Sequence, residues 1–263
     1  LFLNINLDDF AFVTRPSIEV GLVHRPWQSF EESINQYRVQ GSMFLDRSGL
    51  FSSADFGMTF SGLLGGLINE TYRENVNSSY PGKYGSYSLG IYNGGGYHQT
   101  EKNHNKTLEG RLTIRPLPSV IPGLQFSYFG VYGKGNIPPA PDFIIHNVLT
   151  SYEHEKFALT AQVYRGEGNA FGTYVDEQGD ALKNDGYSLF GEYKFPEYKW
   201  RAFVRYDVFR VSSGLYDEER FIWGLGYDIF DKSRLIFDME YSGLNDAASS
   251  QDFFYEVALD LRF

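Results

Sequence analysis

Charged side chains occupy alternate positions in several segments of this sequence, and this spacing decides what chemistry they could do. There are five such segments: 107–115, 187–195, 200–208, 234–241 and 253–263. Within each segment, the charged residues are either all odd-numbered or all even-numbered. Successive side chains of a strand point to opposite faces of its sheet, so the charges share one face. Such a face can bind water, ions and small polar solutes, or its charges can pair across strands. Its residues are Glu109, Arg111, Arg115, Glu192, Lys194, Arg201, Arg205, Asp207, Arg234, Asp238, Glu240, Glu256 and Asp260.

The segments that carry these charges favour membrane-spanning strands. They are roughly 9–12 residues long, where soluble strands average about 5–6 and tilted spanning strands need about 9–11. Short links at 15–17, 154–156, 196–199 and 231–233 alternate with polar loops at 25–53, 94–105, 166–183, 211–218 and 243–251. Aromatic residues gather at strand ends, as at Tyr193 and Trp200. We therefore predict an all-β fold, a transmembrane antiparallel up-and-down β-barrel with short periplasmic turns and long extracellular loops, over a soluble β-sandwich.

Composition narrows the classes of partner. The 263 residues carry a formal net charge of −10 and no cysteine, which argues against nucleic acid and excludes thiolate sites. No apolar stretch reaches the roughly 18 residues of a transmembrane helix, and nothing resembles a signal peptide. We expect a mature exported chain in the outer membrane of a Gram-negative bacterium. Its expected partners are outer-membrane lipid, lipopolysaccharide, and small hydrophilic solutes or ions.

The chain is expected to form a single barrel domain, 1–263, of about 12–14 strands, an even number being usual. The first two strands are predicted near 7–14 and 18–24. The alternation Leu1, Leu3, Ile5, Leu7 marks a further strand, unless an upstream strand is absent from this chain. Residues 64–84 form either a long periplasmic connection or two strand extensions. The last strand ends at Phe263, an aromatic residue at the expected boundary of lipid and water.

The shared charged face predicts the barrel interior, the lumen. One interpretation is a water-filled channel, a porin, for passive diffusion of ions and small solutes, with a weak preference for cations because acidic residues are in slight excess. Another is a structural barrel that sheathes a partner and has a plugged lumen, its charges paired across strands.

Catalytic chemistry is not expected. The chain has five His residues and no GxSxG motif, and no Ser lies near His146 on the same face of its strand. His98 and His104 share a loop without a spacing typical of metal sites. We predict no enzyme activity, no cofactor and no metal; an outer-membrane hydrolase is the less favoured alternative.

Several stretches resemble the phosphate-selective porin family of the porin O and P type. They are "IEVGLVHRPWQSFEE" (18–32), "GSMFLDRSG" (41–49), "GSYSLGIYNGGGY…KTLEGRLTIRPL" (85–117) and "VRYDVF" (204–209). The resemblance implies a porin whose loops fold into the lumen. Family barrels have sixteen strands and select phosphate through Arg and Lys ladders. This chain is shorter and acidic, so the resemblance implies the fold and the pore but not the substrate.

The longest loop, 25–53, is expected to fold inward and narrow the pore. It holds Trp27, Phe30, Tyr37, Phe44 and Phe51, more apolar area than a loop in water would keep exposed. Its charged residues would line the constriction. They are Glu31, Glu32, Arg38, Asp46 and Arg47. The alternative places the loop over the outer rim, in a contact between protomers of a homotrimer.

Overall fold

The structure is a computed structural model that describes residues 1–38, 41–212, 214, 216–230, 233–244 and 251–261. Its described strands are β1 Phe2–Asn6, β2 Val13–His24, β3 Ala54–Leu64, β4 Gly85–Tyr92, β5 Thr107–Ile114, β6 Leu124–Lys134, β7 Asp142–His154, β8 Phe157–Glu167, β9 Lys183–Lys194, β10 Trp200–Val211, β11 Tyr216–Phe230, β12 Ser233–Leu244 and β13 Gln251–Asp260. The described helices are α1 Gln28–Ile34, α2 Phe44–Arg47 and α3 Glu70–Asn75.

All described strands belong to one antiparallel up-and-down sheet, in the order of the chain from β1 to β13. Each strand pairs with its sequence neighbours, and β1 and β13 are the two edge strands of the described sheet. This architecture confirms the all-β, up-and-down prediction. The thirteen described strands fall within the predicted range of 12–14.

The two faces of the sheet differ as the alternation predicts. The face that carries the charges, the inner face, is covered by loop 25–53, and Glu109 and Arg205 on it are buried. The other parity, the outer face, exposes apolar side chains such as Leu108 at 54%, Val163 at 63% and Leu259 at 54%. Exposed apolar groups in a continuous band are stable against lipid hydrocarbon and costly in water.

The start of the chain differs from the predicted strands. The alternation of residues 1–7 forms β1, whereas the predicted strand at 7–14 is wrong, because this segment turns and only its end joins β2. The predicted link at 15–17 is a bulge inside β2, with a register shift between Thr14 and Ser17. Arg15 there has φ +51°, a left-handed conformation that no sequence period reveals.

Most of the longest described connections lie at one end of the sheet, here named the long-loop end, with 65–84 at the other end as the exception. The long-loop end carries 25–53, 93–106, 135–141 and 168–182, and the short-turn end carries 7–12, 115–123, 155–156 and 195–199. The predicted loop 211–218 is shorter, because β11 already begins at Tyr216. The link 231–232, the loop 245–250 and Phe263 lie outside the described residues. Residues 65–84 form one long connection at the short-turn end, with α3 inside it.

No helix among the described residues is long and apolar enough to cross a membrane.

Candidate functional site

The inward loop, residues 25–53, packs its aromatic side chains against the inner face. Trp27 stacks on Phe129 of β6 with ring centroids 5.4 Å apart. Phe44 meets Tyr164 of β8 and Phe209 of β10 edge to face, at 6.5 and 6.3 Å. These rings belong to one buried cluster that joins loop and strands. Burying a large apolar side chain contributes about 1.5–3 kcal/mol, so the cluster holds the loop inside the sheet.

Tyr37 anchors the middle of the inward loop to β9 and β10. Its ring stacks on Phe203 at 4.0 Å, and its hydroxyl donates to Glu192 Oε1 at 2.6 Å. The guanidinium of Arg234 lies over the same ring, 5.4 Å from its centroid. Burial and the adjacent Glu192 carboxylate raise the pKa of Tyr37, which keeps the phenol neutral and available as a donor.

A buried ionic cluster fixes the first residue of the inward loop. Arg25 forms ion pairs with Asp55 at 3.3 Å and with Glu109 at 3.2 Å. Asp55 also accepts a hydrogen bond from the backbone N–H of Gly94 at 2.7 Å. The guanidinium lies 5.2 Å from the ring centroid of Phe51, at the other end of the loop. The two ends of the loop are therefore tied to β3, β5 and each other.

Two arginines from the predicted charged face bind the loop backbone. Arg111 Nε donates to the carbonyl of Pro26 at 3.0 Å, and its guanidinium lies 4.3 Å from the Phe30 ring centroid. Arg205 Nη1 donates to the carbonyl of Ser42 at 3.1 Å. Both side chains are fully buried. They position the loop and do not face a water-filled space.

The charges nearest β12 and β13 are more accessible. Arg47 of the inward loop pairs with Glu240, and Arg220 pairs with the same carboxylate at 3.1 Å. The side chains of Arg47 and Arg220 are 16% and 15% exposed. Glu256 is exposed, while Asp238 opposite it is buried. Asp260 pairs in register with Arg234. Arg47, Arg220 and Glu256 are therefore the accessible charges on this side, whereas Arg234, Asp238 and Glu240 of β12 are buried.

The acidic residues expected at a constriction occupy three environments. Glu31 is buried and accepts a hydrogen bond from Trp27 Nε1 at 2.6 Å. Its burial raises its pKa from 4.5 to about 7, against the opposing effect of Arg205. Glu32 is partly exposed and pairs with Arg38 at 3.2 Å. Burial also raises the pKa of Asp46.

A second segment, residues 65–84, approaches the inward loop from the short-turn end. Asn77 Nδ2 donates to the Ser33 carbonyl at 2.9 Å and to Glu153 Oε1 at 2.7 Å. Tyr80 meets Phe30 edge to face at 5.3 Å. The sequence alone did not predict that this segment lies on the inner face. Its tyrosines, such as Tyr72 and Tyr80, and the N-cap Asn69 were the available signals, but neither identifies a partner.

Three further predicted residues, Lys194, Arg201 and Arg234, line a cavity of about 510 Å³ between this segment, the inward loop and strands β9 to β12. Arg201 pairs with Asp228 at 2.8 Å and with Glu192 at 3.2 Å, and Lys194 lies 3.7 Å from Glu192. Arg234 also pairs with Asp228, at 2.9 Å. The cavity is thus lined by both signs of charge.

Two predicted residues have other neighbours. Arg115 lies over the Tyr72 ring at 4.9 Å, and Asp207 pairs with Arg205 at 2.6 Å.

The solved structures that resemble this chain are outer-membrane barrels. An anion-selective porin from Comamonas acidovorans has a TM-score of 0.58 and 10% identity, and the match covers 92% of this chain and 69% of that chain. Outer-membrane expressed OmpT of Vibrio cholerae has a TM-score of 0.59 and 12% identity, with 97% and 80% covered. A trimer form of in-vitro folded OmpT has a TM-score of 0.53 and 12% identity, with 92% and 72% covered.

The chain shares the fold of bacterial outer-membrane β-barrels. This fold, together with the apolar outer face, confirms the predicted location in the outer membrane of a Gram-negative bacterium. The neighbours support an outer-membrane barrel in general and not the phosphate-selective porin family in particular. No protein-family model and no curated protein matches the sequence.

The histidines do not assemble into a site on the inner face. His146 lies on the outer face, where its Nδ1 and the Tyr128 hydroxyl are 2.7 Å apart. Within the described ranges, no group of three or more His, Asp or Glu side chains is placed to hold a metal ion.

Proposed function

We propose that the chain forms a closed outer-membrane barrel and acts as a porin for ions and small hydrophilic solutes, with the inward loop as its constriction. The observation that carries this proposal is the position of the loop, whose charged residue Arg47, 16% exposed, forms an ion pair with the largely buried inner-face residue Glu240. Charged groups on both sides of a gap replace part of the hydration shell of a passing ion.

The packing of the loop suggests where such a path would run. On the side of β6 to β8, the loop and the strands bury an apolar cluster that extends to Phe209 and Val211 of β10. On the side of β11 to β13, the charged side chains of Arg47, Arg220 and Glu256 are the accessible ones. The proposed path follows this second side and opens into the cavity of about 510 Å³ at the short-turn end.

Single cysteines test this path, because the natural chain has none. Glu256→Cys places a thiol on the accessible side, and Ser151→Cys places one on β7, where the side chain is 1% exposed. A small hydrophilic thiol reagent should react with Glu256→Cys in planar bilayers and reduce the current. It should leave the current of Ser151→Cys unchanged. Equal reaction of both variants, or modification of Glu256→Cys without any effect on current, would refute the path.

A plugged barrel is the second candidate. It is favoured by the buried anchors Arg25, Arg111 and Arg205, which bind the loop so closely that it acts as a fixed part of the wall. Such a barrel would sheathe or anchor a partner and would not conduct. The two candidates differ in one measurement, the single-channel conductance of the purified protein.

No enzyme activity is proposed for the chain. Outer-membrane lipid and lipopolysaccharide remain proposed partners. A homotrimer also remains a proposal, supported by the trimer form recorded for one structural neighbour.

A further inference from the structure

The outer face contains a gap in its apolar band where two glycines stand side by side. Gly110 of β5 is paired in register with Gly130 of β6. Leu89 of β4 is paired with Gly110 on one side, and His146 of β7 with Gly130 on the other. Without side chains at the two central positions, the strands leave a groove, the glycine notch, of about 540 Å³. Its other walls include Leu108, Tyr132 and Ile144.

A polar hollow continues from the notch toward the long-loop end. This rim cavity, about 420 Å³, shares Ile144 and His146 with the notch. Its other walls include Arg165, Lys183 and Asp185. Arg165 lies near the end of β8 and Lys183 begins β9, on either side of loop 168–182. The rim cavity therefore lies where the apolar band gives way to the long loops.

The two cations of the rim cavity have no ion-pair partner among the described residues, although Asp185 is the register partner of Arg165. Unpaired Arg and Lys side chains at a membrane boundary attract phosphate, and Arg binds it through two parallel N–H donors. The carboxylates of Asp185 and Glu167, in the same cavity, can accept hydrogen bonds from hydroxyl or amide groups. A headgroup that suits these two cations and two carboxylates therefore carries phosphate together with hydroxyl or amide donors.

We propose that the outer face of β4 to β9 binds an acylated, phosphorylated sugar lipid of the outer leaflet. One acyl chain lies in the glycine notch, and the headgroup occupies the rim cavity between Arg165 and Lys183. The continuity of an apolar groove with a charged hollow matches an amphiphile better than it matches a flat protein surface. The proposal rests on the orientation with long loops outside the cell, and not on whether the barrel conducts.

The test uses the full chain folded in neutral detergent, titrated with lipid A or with phosphatidylcholine, and bound lipid is counted by native mass spectrometry. Wild-type protein should retain lipid A in preference to phosphatidylcholine. The double variant Arg165→Gln, Lys183→Gln should bind lipid A roughly thirtyfold more weakly, since each basic residue near a membrane surface contributes about 1 kcal/mol and about 1.4 kcal/mol is a factor of ten. Its binding of phosphatidylcholine should not change.

The variant Gly110→Leu fills the notch, because the nearest atom to an added Cβ is the mobile end of Leu89 at 3.1 Å. It should also weaken lipid A binding. Gly191→Leu is the matched control, an outer-face glycine of β9 with ordinary space around it. Lys102→Gln is the control for charge, because Lys102 lies in loop 93–106 and does not line the rim cavity.

The proposal would be overturned if wild-type protein retained the two lipids equally. It would also be overturned if the control variants lost as much lipid A binding as Gly110→Leu and the double variant. It would also fall if Gly110→Leu dissociated an oligomer, by light scattering, while lipid A binding stayed intact, because the notch would then be a contact with a second copy.

Discussion

Inner-face arginines act through the hydrogen bonds they donate to the loop backbone. Arg111 and Arg205 each reach a loop carbonyl and keep their charge away from water. Burying a guanidinium is costly unless its donors are paired, so these residues are tolerated because the loop supplies acceptors. Arg47 and Arg220, which share Glu240 near water, are better placed to meet a solute.

The two faces of β13 predict opposite effects of adding a charge. Leu259→Arg puts a cation into the apolar outer face, at a cost of about 2–4 kcal/mol near the middle of a bilayer. Ala258→Arg, one residue away, places the same side chain on the inner face. Leu259→Arg should insert poorly into lipid vesicles, measured as the fraction of heat-modifiable protein, and Ala258→Arg should insert much better. Equal insertion of the two variants would contradict the assignment of faces.

The inward loop is the element on which the proposed function depends. Its helices are too short to be stable alone, so its shape comes from packing against the strands. The segment 65–84 supports it from the opposite end through the contact of Asn77 with Ser33. Changes in the loop should therefore alter transport without unfolding the sheet.

A pH dependence should follow from the buried Glu31. Its folded-state pKa is raised to about 7 from an ordinary 4.5, so the stability it gives the docked loop is fully present below about pH 4.5. That stability is lost as pH rises through about 7, because the carboxyl then ionises and a charged carboxylate inside the packed loop is unfavourable. Channel current and its noise should rise between about pH 4.5 and about pH 7 and level off at higher pH.

Glu31→Gln should weaken this pH dependence, since an amide does not titrate. Glu32→Gln is the control, because Glu32 is partly exposed and contributes least among the groups that act on Glu31, so it should change the pH profile far less than Glu31→Gln. A wild-type current that is flat across this range, or a Glu31→Gln profile identical to that of wild type, would show that the loop does not respond to this carboxyl.

At the scale of the whole molecule, the alternation of side chains could be predicted from the sequence because a strand has a fixed period of two. The apolar content of 25–53 likewise indicated that this loop needs a surface to cover. The inner-face position of 65–84 could not be predicted, because it depends on distant partners such as Ser33 and Glu153. The bulge at Arg15 and the use of Arg111 as an anchor depend on tertiary geometry in the same way.

The charge of the whole molecule predicts a weak preference for K⁺ over Cl⁻. The chain has a net charge of −10, and Glu256 and Asp228 stand on the accessible part of the inner face. The preference should fall at high salt, because the Debye length shrinks from about 10 Å at 0.1 M to about 3 Å at 1 M. Arg201→Gln, beside the cavity, should strengthen it. A reversal potential that shows strong anion selectivity in the natural protein would contradict this charge assignment.

The single-channel conductance of the natural chain and of a variant lacking residues 33–43 tests most directly whether the inward loop narrows an open pore. The natural chain should conduct in discrete steps, and the deletion should raise the conductance roughly twofold or more, since flow through a water-filled pore is limited by its narrowest section. Heat-modifiable migration should show that both proteins are folded. A folded deletion variant with unchanged conductance, or a folded pair that does not conduct at all, would contradict the constricted porin.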